Sequence, residues 1–275
     1  MRELIILLLS PTGSTRERTD MRLDVYLQSN GTAKSRTRAK EYISGGLVKV
    51  NGTVITKPSF DVADSDVVTV DVPTDEYVGR GAHKLEGALD TFGIDACGRR
   101  CIDVGASTGG FTEVLLRRGA TSVTALDSGH GQLDPSLLSD PRVRNVEGCN
   151  ARYMTAEVAG DGYSLAVMDV SFISQTYIHP ALFPLLSEDG VLVTLVKPQF
   201  ELDAKSVGRG VVTKAEQRYK ALLRVYESTL IYGYRVSDAI VSSIKGGDGN
   251  VEYLFLVERG EEITSVREKL KELSK

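Results

Sequence analysis

Apolar residues recur at helical spacing near the start of the chain and then change to the spacing of short strands. Leu23, Tyr26 and Leu27 lie on one face of a first predicted helix, and the segment "AKEYI" repeats this spacing in a second. Gly45 is typical of a helix end, and an "NG" turn at Asn51 separates the strand patterns that follow. Residues 21–72 are therefore predicted to form a small α+β domain.

Residues 73–80 are interpreted as a linker, after which strand-like and helix-like segments alternate over residues 81–275. The predicted strands are "RCIDVG", "SVTALD", "RVRNVEG", "SLAVMDVSF", "GVLVTLVKP", "YRVSDAIVSS" and "VEYLFLVE". This order predicts an α/β fold with a Rossmann-like, doubly wound and mostly parallel sheet of seven strands. The last two strands are joined by "IKGGDGN", which is too short to contain a helix, so the final strand is expected to be antiparallel.

The first twenty residues fit neither domain. An apolar run from Leu4 to Leu9 follows Arg2, as in a signal peptide, but the run is short and no A-x-A cleavage site follows it. The run is also too short to cross a bilayer. We expect residues 1–20 to be an N-terminal extension that is disordered or not native.

Composition and charge narrow the class of protein. The 275 residues carry a net charge of −4, which argues against a uniformly basic surface but allows a local basic patch. Such a patch occurs in "KSRTRAK" (residues 34–40), which is either a solvated helix face or a set of phosphate contacts. Three cysteines without a CxxC pair and three scattered histidines indicate a reduced, cytoplasmic protein with no metal site.

The segment "CIDVGASTGGFTEVLL" predicts a strand, a glycine-rich turn and a helix, an arrangement that lets the backbone approach a ligand. Ser107 stands where a dinucleotide fingerprint requires glycine, so a loop that binds S-adenosylmethionine fits better. A tight turn that binds nothing is the alternative. The predicted cofactor-binding residues of this loop are Asp103, Gly105, Ala106, Ser107, Thr108, Gly109, Gly110 and Phe111.

A second carboxylate supports an adenosine cofactor. Asp127 ends the next strand, 22 residues after Gly105, where it can accept both ribose hydroxyls. NAD and S-adenosylmethionine share this feature, so Asp127 does not distinguish them. Residues Asn150 to Arg152 follow the third strand and are expected to border the adenine.

Four ionisable residues are candidates for catalysis. Asp169 and Lys197 end the fourth and fifth strands, and ligands of such sheets bind beyond these carboxyl ends. Glu252 starts the last strand, which runs the other way, so it is expected at the same edge; Lys84 lies on the helix before the first strand. Asp169 is also a candidate cofactor contact. Surface charges or structural ion pairs are the alternative reading.

Two lysines and two carboxylates suit methylation of a weakly acidic hydroxyl group. The apolar strand "GVLVTLV" places Lys197 at the active-site edge, and Pro198 then ends the strand. Lys197 acts either as a general base or as a charge that stabilises the developing oxyanion, and the sequence leaves both roles open.

These motifs resemble known families over residues 21–260. "RLDVYL…SRTRAKEYISGGLVKVNG" resembles the S4 RNA-binding domain. "RGAHKLEGAL", "DVGASTGGFT", "MDVSFIS", "LVKPQFE" and "GNVEYLF" resemble the TlyA (haemolysin A) family of FtsJ-like ribose 2′-O-methyltransferases. The resemblance implies a Lys-Asp-Lys-Glu tetrad at Lys84, Asp169, Lys197 and Glu252, and an S-adenosylmethionine-dependent methyltransferase domain.

The resemblance also implies a substrate, a cytidine in 16S or 23S ribosomal RNA or both, and ribosomal RNA or subunits as partners. The candidate RNA-binding residues are Arg22, Lys34, Ser35, Arg36, Arg38, Lys40, Lys49 and Arg80. Two other functions are considered: a ribosome-assembly factor without catalysis, and a membrane-active haemolysin. No apolar helix long enough to span a bilayer is predicted, and the C-terminal "ITSVREKLKELSK" is a short amphipathic segment of mixed charge.

Overall fold

The structure is a computed structural model that describes residues 2–7, 21–33, 36–73, 77–203, 207, 210–247 and 249–275. The chain divides into two compact units, Met1–Glu76 and Tyr77–Lys275. The division falls within the linker that the sequence predicts over residues 73–80.

Among its described residues, the first unit has two helices and short antiparallel strands. Its elements are β1 (Arg2–Leu7), β2 (Met21–Arg22), α1 (Leu23–Ser29), α2 (Arg36–Ser44), β3 (Val48–Val50), β4 (Thr53–Val54), β5 (Asp61–Val62) and β6 (Val68–Pro73). One sheet has the order β1-β6-β3-β4, and β2 pairs with β5. Leu23, Leu27 and Ile43 are fully buried, which confirms the predicted helix faces. The β3–β4 turn has positive φ at Asn51 and Gly52, as the "NG" signal requires.

The expectation for residues 1–20 is corrected in part. Arg2–Leu7 form a regular strand that pairs antiparallel with β6, from Arg2 opposite Pro73 to Leu7 opposite Val68. An edge strand presents unpaired N–H and C=O groups, and β1 satisfies those along β6. Residues 1 and 8–20 lie outside the described residues.

The second unit is a three-layer α/β structure. Its strands are β7 (Arg100–Val104), β8 (Ser122–Leu126), β9 (Val143–Val146), β10 (Tyr163–Met168), β11 (Leu186–Val196), β12 (Tyr234–Val241) and β13 (Tyr253–Arg259). Its helices are α3 (Ala82–Phe92), α4 (Gly110–Arg117), α5 (Pro135–Leu138), α6 (Ala156–Ala159), α7 (His179–Leu182), α8 (Pro198–Glu201), α9 (Ala215–Ile231) and α10 (Thr264–Leu273). Short 3₁₀ turns occur at Ala151–Tyr153, Gln175–Tyr177 and Phe183–Leu185.

The sheet of this unit has the order β12-β13-β11-β10-β7-β8-β9. All seven predicted strands are confirmed, and β13 is antiparallel to both of its neighbours, β11 and β12. Neighbouring residues of the central strand β10 belong to different apolar clusters: Ala166 and Met168 to one, Leu165 and Val167 to the other. Because side chains of a strand alternate in direction, both faces of the sheet are covered.

Candidate active site

The sheet brings two of the predicted catalytic residues to adjacent positions. Val196 at the end of β11 pairs with Tyr253 at the start of β13. Lys197 and Glu252 are the next residues beyond this pair, so the antiparallel return places them side by side at one edge. Pro198 is the first residue of α8, and it turns the chain away directly after Lys197.

The four predicted catalytic residues form two ion pairs. Lys84 Nζ lies 2.6 Å from Glu252 Oε2, and Lys197 Nζ lies 2.5 Å from Asp169 Oδ1. The side chain of Glu252 is only 3% exposed, and those of the two lysines are 11% and 12% exposed. Two positive and two negative charges at this edge balance, which reduces the cost of holding them out of water.

Helix α3 links the two ion pairs. Gly81 precedes this helix, and a Cβ atom at that position would lie 3.6 Å from Asp169 Oδ2. Lys84 follows one turn later on the same helix. The start of α3 therefore lies against the carboxylate that holds Lys197.

A cavity of about 590 Å³ opens at Asp169, and the other three predicted catalytic residues are not among the residues that line it. Five of the predicted cofactor-binding residues line it: Gly105, Ser107, Asp127, Asn150 and Asp169. The other predicted residues do not line it; these are Asp103, Ala106, Thr108, Gly109, Gly110 and Phe111. The cavity volume lies within the range of about 300–1,000 Å³ that is usual for small-ligand sites.

The glycine-rich loop approaches the strand that ends at Asp169 too closely for a side chain at Gly105. This glycine has a φ of +86°, and an added Cβ atom would overlap the Asp169 carbonyl group, with 3.0 Å to its carbon. At Gly109, with a φ of +96°, an added Cβ atom would overlap only the terminal methyl groups of Leu133 and Leu137, which can move. The structure thus requires glycine at position 105 for both conformation and space, and at position 109 for conformation.

Asp127 holds the loop in place from the end of β8. Its carboxylate accepts hydrogen bonds from the backbone N–H of Ser107 (2.8 Å) and from that of Gly129 (2.7 Å). Ser107 itself has a φ of +49°. The carboxylate is therefore fixed at the cavity wall before any ligand contacts it.

Asp103 connects the end of β7 to the helix that follows the glycine-rich loop. Its buried carboxylate accepts a hydrogen bond from Thr112 Oγ1 (2.7 Å), and Thr112 lies in the first turn of α4. Burial raises the pKa of Asp103 to about 7. The other oxygen, Oδ1, has no hydrogen-bond partner among the described residues, which leaves one buried acceptor next to the loop.

A second cavity of about 540 Å³ adjoins the first. Arg152, Phe172 and Ile173 line both. Phe172 is 91% exposed and has a φ of +63°, which is unfavourable for a bulky residue. Its ring lies 5.1 Å from that of Phe200, and the Arg152 guanidinium lies 5.3 Å from the ring of Tyr177. Aromatic and arginine groups thus surround this cavity.

In the first unit, a buried carboxylate holds two of the predicted RNA-binding residues. Asp24 is fully buried, and it accepts hydrogen bonds from Arg22 Nε (3.0 Å) and Arg36 Nη2 (3.0 Å). The side chains of Arg22 and Arg36 remain about half exposed. The hydrogen bond from Arg22 is the main cause that lowers the pKa of Asp24 to about 2.

The other predicted RNA-binding residues have different surroundings. Arg38 pairs with Glu41 at 2.9 Å, and Lys40 and Lys49 are exposed. Lys34 and Ser35 lie outside the described residues, and Arg80 is exposed on the second unit. The exposed cations of this predicted set in the first unit lie in β2, α2 and β3.

Comparisons with known proteins agree with both units. The model of the FtsJ-like methyltransferase family matches residues 77–259, and the S4 domain model matches residues 21–68. The 16S/23S rRNA (cytidine-2′-O)-methyltransferase TlyA of Mycobacterium tuberculosis is 46% identical over 236 residues, which cover 85% of this chain and 88% of that protein. The chain belongs to the TlyA family. It is an S4-domain member of the FtsJ-like methyltransferases.

Two further relatives of this TlyA-family chain carry the name haemolysin. Hemolysin A of Brachyspira hyodysenteriae is 42% identical and is matched over 98% of its length. A solved structure from Streptococcus thermophilus, also described as a hemolysin, has a TM-score of 0.74 and 37% identity, and the match covers 93% of this chain and 94% of that one. Among the described residues, no helix has the length and apolar character needed to cross a membrane.

The structure of this TlyA-family member also shows site residues that sequence reasoning did not identify. Ser171 Oγ accepts a hydrogen bond from Lys197 Nζ (2.9 Å), and Ser171 and Phe172 line the first cavity. Arg152, which the sequence predicts at the adenine together with Asn150, lines the second cavity as well as the first. Ser171 and Phe172 come two and three residues after Asp169, just beyond the end of a strand. This position was the available signal, since residues there belong to the ligand-binding edge.

Proposed function

We propose that this protein transfers a methyl group from S-adenosylmethionine to the ribose 2′-hydroxyl of a cytidine in ribosomal RNA of the small subunit, the large subunit or both. The observation that carries this proposal is the Lys197–Asp169 ion pair, 2.5 Å long, at the edge of a cavity of cofactor size. The name of the Mycobacterium tuberculosis relative supports the reaction and the substrate.

The residues of the first cavity fit S-adenosylmethionine. Asp127 offers carboxylate oxygens at the position that suits ribose hydroxyls, and Gly105, Ser107 and Asn150 line the same cavity. The buried Asp103 does not line the cavity and supports the loop through Thr112. When bound, the cofactor supplies an electrophilic methyl group.

The two lysines are placed to assist the deprotonation of the hydroxyl group that is methylated. Lys197 is oriented by Asp169 and Ser171, and Lys84 is held by Glu252. Either Lys197 acts in its neutral amine form and accepts the proton of the 2′-hydroxyl, or Lys197 stays charged and stabilises the negative oxygen while that proton passes to solvent. In both cases the carboxylates act by fixing the lysines, and the low exposure of the site strengthens every charge interaction.

We assign RNA docking to residues 21–72 and methyl transfer to residues 81–275. The S4 domain presents Arg22, Arg36 and Lys40 on its surface, and cations of this kind bind phosphates. Docking is therefore expected to weaken steeply as the salt concentration rises. A base in a folded RNA reaches a cavity most easily when its nucleotide is extruded, and the aromatic second cavity suits such a base.

The proposal is tested by methyl transfer from labelled S-adenosylmethionine to separate small and large ribosomal subunits from cells that lack this gene. The variants are Lys197→Ala and, as a matched control, Lys269→Ala, which breaks an exposed ion pair with Asp238. We expect label on RNA with the wild type and with Lys269→Ala, and a loss of about 10²–10⁴-fold with Lys197→Ala.

Each outcome has a distinct meaning. Label on one subunit identifies the substrate, and mapping of the methylated position shows whether it is a cytidine. Tight RNA binding without label on either subunit would replace the proposal by a non-catalytic role in ribosome assembly. Equal label with the wild type and Lys197→Ala would support methyltransferase activity but show that Lys197 is not essential for it.

A further inference from the structure

Strands β10 and β11 separate before they reach the residues that carry the chemistry. Their last ladder pair is Met168 with Thr194. Asp169 lies one residue and Lys197 three residues beyond this pair. Backbone pairing between these strands therefore does not fix the distance between the two charged groups, and something else has to hold the two chains together.

A buried glutamine bridges the gap. The side-chain amide of Gln175 donates from Nε2 to the backbone oxygen of Leu195 (2.6 Å) and accepts at Oε1 from Thr194 Oγ1 (2.7 Å). Gln175 is 1% exposed. Its side chain thus joins the segment after β10 to the last residues of β11. These two hydrogen bonds replace the backbone hydrogen bonds that the strands no longer make.

A buried glutamate joins the same two segments on the other side of Lys197. Glu201 Oε2 accepts from Ser174 Oγ (2.5 Å), and Glu201 Oε1 accepts from the backbone N–H of Gln175 (2.9 Å). Glu201 is 1% exposed, and its backbone oxygen accepts from Arg224 Nη1 (2.8 Å). Helix α8 is therefore attached to the 3₁₀ turn that follows Asp169.

Stability alone does not explain this network. Burial raises the pKa of Glu201, and burying a carboxylate costs free energy that apolar residues of similar volume would not cost. The position of the network around Lys197 gives a better explanation. Lys197 lies between Leu195 and Glu201, and its partners Asp169 and Ser171 lie in the segment that leads to Gln175.

We propose that Gln175 and Glu201 are positioning residues that hold the Lys197 ammonium group against Asp169 and Ser171. Neither residue lines either of the two cavities, so neither is placed to contact substrate or cofactor, although Ser174 and Arg224, which bond to Glu201, line the second cavity. The inference rests on the proposed function for the reaction, but the geometry that it explains is independent of the substrate.

The test compares two variants that each lose two buried hydrogen bonds at opposite ends of β10. Gln175→Met keeps the length of the side chain and loses the bonds to Thr194 and Leu195. Tyr163→Phe loses the bonds of the Tyr163 hydroxyl to Thr124 and to the backbone of Ala159. We expect the two variants to lose similar amounts of unfolding free energy, as measured by urea denaturation. The single-turnover transfer rate is expected to fall about 100-fold in Gln175→Met and less than about threefold in Tyr163→Phe.

Two further measurements separate positioning from general damage. Cofactor affinity is expected to stay within about threefold of the wild type in both variants, because the effect of Gln175 is on the rate and not on binding. Glu201→Gln can keep both hydrogen bonds if the Ser174 hydroxyl rotates to accept, so it is expected to retain most of the rate, whereas Glu201→Leu is expected to lose as much as Gln175→Met.

A readout that needs no activity completes the test. Reductive methylation with formaldehyde and cyanoborohydride, followed by mass spectrometry, reports how freely Lys197 reacts. We expect faster modification of Lys197 in Gln175→Met than in the wild type or Tyr163→Phe. Equal reactivity, or equal transfer rates of the two variants, would overturn the positioning role. A wild type that modifies no RNA refutes the proposed function instead, and the lysine reactivity still decides whether the network positions Lys197.

Discussion

Gly105 and Asp169 are in direct contact, with no space for a side chain between them. A Cβ atom at position 105 would overlap the carbonyl group of Asp169 and would lie 3.1 Å from a methyl group of Val170. The glycine-rich loop that lines the first cavity is therefore packed directly against the segment that carries Asp169, the partner of Lys197. We expect a shift of the loop to move the ion pair.

Replacement of Gly105 by alanine is expected to abolish cofactor binding. The new methyl group forces the loop away from Asp169, and the φ of +86° adds about 1 kcal/mol of strain. Calorimetric titration with S-adenosylmethionine measures the loss. Gly98→Ala is the matched control, because Gly98 has a φ of +73° but nothing within 4 Å of an added Cβ atom. If both variants bind the cofactor equally well, the contact with Asp169 has no functional importance.

The Lys84–Glu252 pair is expected to show strong energetic coupling. Lys84→Met leaves a carboxylate that is 3% exposed without its cation, which we expect to cost about 3 kcal/mol in unfolding free energy. In Lys84→Met/Glu252→Gln the uncompensated charge is absent, so most of this stability is expected to return. Urea unfolding of the two single variants and the double variant measures the coupling. Additive costs would show that the pair does not interact energetically.

Parts of this site were predictable from the sequence because they depend on the ends of strands. Asp169 and Lys197 follow apolar strands, and Glu252 precedes a strand that a short connection forces to run antiparallel. The Gln175–Glu201 network was not predictable, because the hydrogen bonds join residues 26 or 27 positions apart whose contact depends on how α8 packs. The pairing of β1 with β6 also depends on which edge of a small sheet is available.

Asp103 is expected to make the stability of the protein fall as the pH rises. Its folded-state pKa, about 7, is above the ordinary value of 3.8, so the folded protein binds the proton more tightly than the unfolded chain does. The destabilisation therefore develops between about pH 4 and pH 7 and is complete above pH 7. Asp103→Asn removes this group. Urea unfolding at pH 5 and pH 8 is expected to show a smaller decrease for Asp103→Asn than for the wild type; equal decreases would assign the pH dependence to other groups.

Asp24 is expected to contribute to RNA binding without contacting RNA. It holds Arg22 and Arg36 in fixed positions while both guanidinium groups remain half exposed. Asp24→Asn keeps the shape of the side chain but loses the charge that orients the arginines, and we expect roughly tenfold weaker binding to ribosomal subunits, the scale of one charged hydrogen bond. Asp90→Asn, which makes the same change at an exposed ion pair with Arg118 in the second unit, is the control. Circular dichroism checks the fold of each variant, and unchanged affinity of a folded Asp24→Asn protein would contradict the role.

Phe172 is expected to be unfavourable for stability and favourable for methyl transfer. It is a bulky residue with a φ of +63° and 91% exposure, at the boundary of the two cavities. Phe172→Gly relieves the backbone strain, so the unfolding free energy is expected to stay level or to rise by up to about 1 kcal/mol. The transfer rate is expected to fall at least tenfold, because stacking of one base on an aromatic ring contributes about 1–3 kcal/mol.

The matched control for Phe172 is Ile231→Ala, which removes another exposed apolar side chain, at the end of α9 and outside both cavities. Its rate is expected to be that of the wild type. Strain that is retained at an exposed position has a functional reason only if the residue acts on a ligand. A Phe172→Gly protein that is more stable and equally active would therefore leave the second cavity without a part in the reaction, whereas a more stable and slower protein shows that Phe172 acts on the nucleotide.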